Sequence, residues 1–277
     1  MQRVVLVLVG IMLVSFGLAA LFGVFLPGAG MGIVSEDINS EEVFTAAGLE
    51  RMVVETVSTK VFLIPVDGEE ITVHFHGWAR GSAGSMPELR AVKTADSLRI
   101  NIDYPMNVNF LSTRELRLDI YIPKDYSGEL SVQTVSGSVE VADLDLRKFR
   151  FKSVSGGLRA ENFSAQEGIY ESTSGKISVR GLAGQARVNT VSGNILLAYK
   201  EFAHDIDIKS TSGDARVELP EESEFSLSAR TVSGKVNTGF PITLEGDSRN
   251  VTGVVGSGEH RITTSTVSGD ILIQPVR

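Results

Sequence analysis

At 277 residues, with 42% apolar and 22% charged residues, the chain has the composition of a folded protein of one or two domains and not of a disordered one. A net charge of −8 without any run of Lys or Arg argues against nucleic acid as a partner and against electrostatic attraction to anionic lipid. The absence of cysteine removes disulfides, thiolate metal sites and cysteine nucleophiles together, and 28 glycines with few aromatics suit a fold of many corners.

Arg3 and the free amino group lie in residues 1–3, and Val4 to Leu26 follow without a charge. About 20 apolar residues span a bilayer as a helix, so the sequence predicts one transmembrane helix over 4–26. Between Pro27 and Glu50 there is no Lys or Arg, but there are Glu36, Asp37, Glu41, Glu42 and Glu50. The positive-inside rule then puts the amino terminus in the cytoplasm and the rest outside, as a single-pass protein of the cell membrane. The rival is a cleaved signal peptide, whose apolar region is normally shorter and ends at an A-x-A-like site; Ala19-Ala20-Leu21 fits that poorly. Residues 27–47, rich in Gly and acidic side chains, read as a linker.

Residues 48–130 read as early strands and a cap. Thr56-Val57-Ser58-Thr59 resembles a decayed copy of the motif described next, with Thr in place of Gly. Ile71, Val73 and Phe75 alternate with polar residues, as do Leu98, Ile100 and Ile102, and Leu116, Leu118, Ile120 and Ile122. Residues 81–87 read as a loop. His74 and His76 share one strand face, an arrangement that can bind zinc or copper. No third ligand is evident nearby in sequence and His204 and His260 are remote, so the expectation is an exposed strand face with no metal and no cofactor.

From residue 131 to 277 one phrase, [ST]-[VT]-S-G, recurs. It ends at Gly137, Gly156, Gly175, Gly193, Gly213, Gly234 and Gly269, each preceded by a serine: Ser136, Ser155, Ser174, Ser192, Ser212, Ser233 and Ser268. Asn250-Val251-Thr252-Gly253 fills the one large gap as a decayed copy. Two and four residues after each Gly come mostly apolar side chains, from Val139/Val141 to Ile271/Ile273. Alternation before the motif, as in Leu130/Val132 and Phe149/Phe151, has the opposite parity to the motif's valine, which predicts a bend between them. Each unit is then strand, corner, strand, turn. One such unit cannot repay its own ordering entropy, so stacking is required. The expected fold is all-β: a single-stranded β-solenoid, β-helix-like, of about 19-residue coils, with the glycines as corners and the serines as a hydroxyl column.

Strands ending in Leu118-Asp119-Ile120-Tyr121-Ile122-Pro123, followed by T-V-S-G-x-V-x-V units, resemble the putative-adhesin family of short β-strand repeats, a bacterial and archaeal domain of unknown function, over about residues 48–277. The resemblance implies a β-helix-like domain on membrane-anchored or exported proteins, some tied to envelope-stress systems, with no catalytic residues to carry over. Enzyme chemistry finds little support in the residues themselves. Gly168 to Lys176 lacks the spacing of a phosphate loop, and Asp143, Asp145 and Arg147 form no recurring acidic pair. The leading expectation is a non-enzymatic, membrane-anchored, adhesin-like protein that binds an envelope protein or glycan. An envelope-stress accessory or sensor protein is the alternative, and a β-helix carbohydrate-active enzyme a third. Asn162 and Asn250 begin glycosylation sequons whose use the sequence leaves open.

Overall fold

The computed structural model describes residues 33–82, 86–104 and 114–276. Residues 1–3 and the expected helix over 4–26 lie outside them. Among the described residues no helix is long and apolar enough to cross a membrane.

Every regular element of the described residues is a strand. In chain order they are β1 (Ile33–Thr45), β2 (Arg51–Thr56), β3 (Lys60–Val66), β4 (Glu70–Ser82), β5 (Glu88–Lys93), β6 (Ser97–Asp103), β7 (Arg114–Pro123) and β8 (Glu129–Thr134). Then come β9 (Val139–Ala142), β10 (Asp145–Ser153), β11 (Leu158–Glu161), β12 (Ser164–Ser172), β13 (Ile177–Leu182), β14 (Gln185–Ser192), β15 (Ile195–Tyr199) and β16 (Ile206–Ser212). The last are β17 (Ala215–Leu219), β18 (Phe225–Ser233), β19 (Val236–Thr238), β20 (Thr243–Asp247), β21 (Asn250–Val255), β22 (His260–Ser268) and β23 (Ile271–Pro275).

From β8 onward the chain visits two sheets in turn. The strand before each motif enters a 12-stranded sheet and the strand after it an 11-stranded one. Neighbours pair in parallel with like positions opposite: Phe151 faces Val132 and Tyr170, and Ile177 faces Leu158 and Ile195. Period-2 alternation then turns one side of each sheet inward. The inward residues, among them Val132, Phe151, Tyr170, Val188, Leu158, Ile177 and Ile195, form one buried cluster.

At both ends the spatial order departs from the sequence. β2 lies between β6 and β8, and β3 between β7 and β9; at the other end β22 lies between β16 and β18, and β23 between β17 and β19. Antiparallel strands close the edges: β4 and then β1 on β7, β5 on β6, β21 and then β20 on β18.

Three expectations need correction. Residues 33–45, read as part of a linker, form β1, paired with β4 from Ile33 opposite Ser82 to Thr45 opposite Glu70. Ile38 and Phe44 pack on the core from the inner face, while Asp37 and Glu41 are exposed, so the acidic residues mark a charged edge strand. The segment Asn250-Val251-Thr252-Gly253 is no corner: it lies in β21 with Val251 opposite Ala229, inside an antiparallel hairpin that covers the 12-stranded sheet's edge. The parity change is absent too. The motif's first hydroxyl, Thr134, is buried in phase with Leu130 and Val132, and the valine points outward, with Val232 56% and Val267 50% exposed. A hydroxyl suits the inward position because it can accept the buried glycine N–H. Thr134 Oγ1 accepts from Gly137 at 2.9 Å and Ser172 Oγ from Gly175 at 2.8 Å.

A second corner lies six residues beyond the motif glycine. Asp143 and Asn162 have φ of 53° and 47°, and Gly181 has 85°. These are the residue types that tolerate left-handed backbone, and Asn162 Nδ2 donates to Asp143 Oδ1 at 2.6 Å across the layers.

Candidate functional site

The motif corner sets how closely the layers approach. A Cβ on Gly156 would lie 2.0 Å from the Gly137 carbonyl oxygen, one on Gly175 2.0 Å from that of Gly156, and one on Gly193 2.4 Å from that of Gly175. The same contact links Gly213 to Gly193, Gly269 to Gly213 and Gly234 to Gly269, while Gly137 abuts the carbonyl of Thr59. Thr59 stands at the glycine's place in the Thr56-Val57-Ser58-Thr59 copy, and its hydroxyl bonds the phenol of Tyr104. The serines are exposed and in register where the ladder continues through them: Ser192 faces Ser212, and Ser268 faces both Ser212 and Ser233. The buried hydroxyls are those of the motif's first residue instead. These residues build the scaffold and bring no reactive group together.

The outward faces carry charged pairs, some within a strand and some between strands. On the 11-stranded sheet Arg159 pairs with Glu161 at 3.4 Å and Arg180 with Glu218 at 3.3 Å. A shallow depression of about 420 Å³ lies over these layers, lined by Glu140, Arg159, Glu161, Lys176, Ser178 and Arg180 among others. On the 12-stranded sheet Glu129 receives both Arg51 and Arg147, at 3.1 and 3.0 Å, and Lys148 meets Glu167 at 2.7 Å. Such exposed pairs contribute little to stability, and their charged groups remain available to a partner. Beneath this face, burial and then Glu129 push the Tyr126 phenol well above its ordinary pKa, and its hydroxyl donates to the Glu129 carbonyl at 2.8 Å.

The most concentrated chemistry lies at the other end of the 11-stranded sheet, on β4. His74 and His76 project outward from one strand face and stack, ring centroids 4.4 Å apart and planes 21° from parallel. The third group, which sequence spacing conceals, is Asp119 on β7, directly across from His74. It is outward-facing by alternation yet only 4% exposed, because its neighbours cover it. His76 Nε2 lies 3.1 Å from Asp119 Oδ2. Arg117 pairs with the other carboxylate oxygen and lays its guanidinium over the Phe62 ring at 3.8 Å. On the far side β1 contributes Asn39, whose Oδ1 lies 2.7 Å from His74 Nε2, and places Glu41 opposite His74 in register. One donor atom each from His74, His76 and Asp119 all lie within 4.8 Å of one another. The only sequence signal for Asp119 was the Leu118-Asp119-Ile120 alternation, which put a carboxylate on the outer face without saying which strand it would meet. His260 is elsewhere, edge-on to Phe202 at 5.6 Å. Asp143 is held in its corner by Asn162, and Arg147 is bound to Glu129.

Residues 49–274 match the model of the family described as Toastrack DUF4097. Among solved structures, a putative cell adhesion protein from Clostridium sporogenes ATCC 15579 is 14% identical, with 86% of this chain and 100% of that one covered and a TM-score of 0.38. A putative adhesin from Bacteroides fragilis NCTC 9343 is 14% identical, with coverages of 88% and 97% and a TM-score of 0.38. One from Parabacteroides distasonis ATCC 8503 is 10% identical, with coverages of 89% and 98% and a TM-score of 0.39. No curated protein matches.

Proposed function

Starting from the chain's membership in the Toastrack DUF4097 family, which the match over residues 49–274 establishes, we propose that it is a non-enzymatic, adhesin-like protein of the cell envelope. In this reading residues 4–26 anchor it in the membrane with the amino terminus inside. The β-structure outside is a β-solenoid whose face is offered to a protein or glycan.

The observation that carries the reading is the outer face of the 11-stranded sheet. Charged side chains stand across a broad, shallow surface: Glu140, Arg159, Glu161 and Arg180 on neighbouring layers, then Arg216 and Glu218 beyond β15, which carries Leu196 and Ala198 at the equivalent positions. A surface of that kind gives breadth of contact, whereas catalysis on a small substrate favours an enclosed pocket with convergent groups.

The test uses the full-length chain in mild detergent, offered to isolated envelope polysaccharide and envelope protein fractions. Saturable retention is expected without release of soluble sugar. The double variant Arg159→Glu/Arg180→Glu should weaken it at least tenfold. Absence of retention by either fraction would remove the adhesin reading, and release of sugar would point to an enzyme. Loss of an envelope-stress response on deletion, with no retention, would favour the accessory role. Membrane anchoring is checked separately: the full chain should resist carbonate extraction from membranes, and a chain lacking residues 4–26 should not.

A further inference from the structure

We infer that His74, His76 and Asp119 form a binding site for a divalent transition-metal ion, of the zinc or copper class. The site is independent of the adhesive face and requires no assumption about it.

Three features of the geometry support this. First, two imidazoles and a carboxylate converge, each offering a donor atom within 4.8 Å of the others. Imidazole with carboxylate is a donor set that suits Zn²⁺ and Cu²⁺, and metal–ligand bonds of about 2.0–2.2 Å need only small side-chain rotations from that spacing. Second, one ring is already held as a ligating imidazole would be. In a neutral imidazole the nitrogen that donates its hydrogen leaves the other free to ligate, and Asn39 Oδ1 holds Nε2 of His74 in this way, the outer contact that usually fixes the orientation of a ligating histidine. The contact of His76 Nε2 with Asp119 Oδ2 is one that a metal between the two would replace. Third, the site rests on strands and not on a loop. β1, β4 and β7 pair continuously through it, so the donors are held by ladder hydrogen bonds.

Arg117 occupies the place of a competing cation. Its guanidinium satisfies Asp119 and is itself held over Phe62. A metal that takes Asp119 on the histidine side, at Oδ2, meets the positive charge of the guanidinium on Oδ1, so Arg117 sets a ceiling on affinity. This separates the proposal from a purely structural ion pair. If Asp119 serves only Arg117, removing the guanidinium brings no gain in metal binding.

The experiment is a titration of the untagged, full-length chain in mild detergent with Zn²⁺ alone, in competition with a chromophoric chelator, and with Co²⁺ as a spectroscopic probe. One equivalent of Zn²⁺ is expected, with a Co²⁺ d–d spectrum of nitrogen–oxygen coordination. His74→Ala and His76→Ala should each weaken binding about tenfold or more. Arg117→Gln should strengthen it. Thermal melts of each variant without metal confirm folding; should Asp119→Asn fail to fold, the surface variants His74→Ala and Arg117→Gln carry the test. Absence of stoichiometric binding at submillimolar Zn²⁺, wild-type affinity in the histidine variants, or weaker binding in Arg117→Gln would each overturn the assignment.

Discussion

Replacing Gly156 by alanine tests the close approach of the layers with a single methyl group. Gly156 carries no unusual φ, so the change adds no backbone strain, and its effect comes from space alone. The added Cβ would sit 2.0 Å from the Gly137 carbonyl oxygen and 2.9 Å from its carbon. A carbon–oxygen contact needs about 3.3 Å, so the layers must separate by roughly 1.3 Å there. Two ladder bonds between these two layers flank the point, Ser155 N–H to the Val135 carbonyl at 2.8 Å and Val139 N–H to the Gly157 carbonyl at 2.9 Å. Stretched by that amount they leave hydrogen-bonding range. Losing both costs about 2 kcal/mol and overpacking adds about 1–3, so Gly156→Ala should destabilise by about 3–5 kcal/mol. Urea unfolding followed by far-UV circular dichroism measures it. Two controls isolate the cause. Ser155→Ala, exposed in the same layer, should stay within about 0.5 kcal/mol of wild type. Gly48→Ala, at φ 72° with nothing within 4 Å of the new methyl, should cost only about 1 kcal/mol. A Gly156→Ala protein as stable as Ser155→Ala would refute the carbonyl contact. Gly193→Val adds a branched side chain at φ 145° to the same clash and should be worse still.

Other changes separate the roles of the motif's hydroxyls and of the buried phenols. Ser172→Ala, which orphans the buried Gly175 N–H, should cost about 1–2 kcal/mol, whereas exposed Ser174→Ala should be close to neutral in the same unfolding assay. Tyr170→Phe removes a buried hydroxyl that has no hydrogen-bond partner and should leave stability at pH 7 unchanged or up to about 1 kcal/mol higher. The phenols of Tyr126, Tyr170 and Tyr199 are all raised, chiefly by burial. The folded protein therefore keeps protons that the unfolded chain gives up above about pH 10; their contribution is complete below that pH and falls as pH rises beyond it. The variant Tyr170→Phe/Tyr199→Phe should unfold at higher pH than wild type in an alkaline titration followed by circular dichroism, and an unchanged midpoint would uncouple these phenols from unfolding.

The all-β class and the buried side of most strands were legible in the sequence because alternation is a local property. Val139, Leu158, Ile177 and Ile195 stand where the pattern puts them, each facing its counterpart in the next layer. Hydropathy gives the wrong parity at the motif because its valine, being apolar, ranks as inward, whereas the structure turns it out and the first hydroxyl in. Inside a tight corner a short hydroxyl is an acceptor for the backbone, and that use has no hydropathy signature. The second corner did have a signal, since Asp143, Asn162 and Gly181 recur at a constant distance after the motif. The histidine cluster was half visible. Two imidazoles on one strand follow from the spacing, but Asp119 joins them through antiparallel pairing of β4 with β7, a long-range choice that no local pattern encodes.

Layer order is the feature that sequence hides most completely, because every repeat offers nearly the same edge to its neighbour. The hairpin of β20 and β21 needs an exposed edge to cover, and it finds one on β18 only if the later strand β22 inserts on the other side. The absence of cysteine from the chain makes this order directly testable. Ser212 and Ser268 face one another across adjacent parallel strands, as do Ser233 and Ser268. Neighbouring strands lie about 4.8 Å apart, inside the Cα separation a disulfide accepts, whereas strands two layers apart are near 10 Å and beyond it. Oxidation of Ser212→Cys/Ser268→Cys and of Ser233→Cys/Ser268→Cys should therefore give intramolecular disulfides, read by non-reducing peptide mass mapping. Ser212→Cys/Ser233→Cys, which would be neighbours if the units stacked in chain order, should remain reduced. A disulfide in Ser212→Cys/Ser233→Cys with Ser212→Cys/Ser268→Cys left reduced would mean that the last repeat adds to the end of the stack and that β22 does not enter between β16 and β18; Ser233→Cys/Ser268→Cys forms in either order and is the positive control.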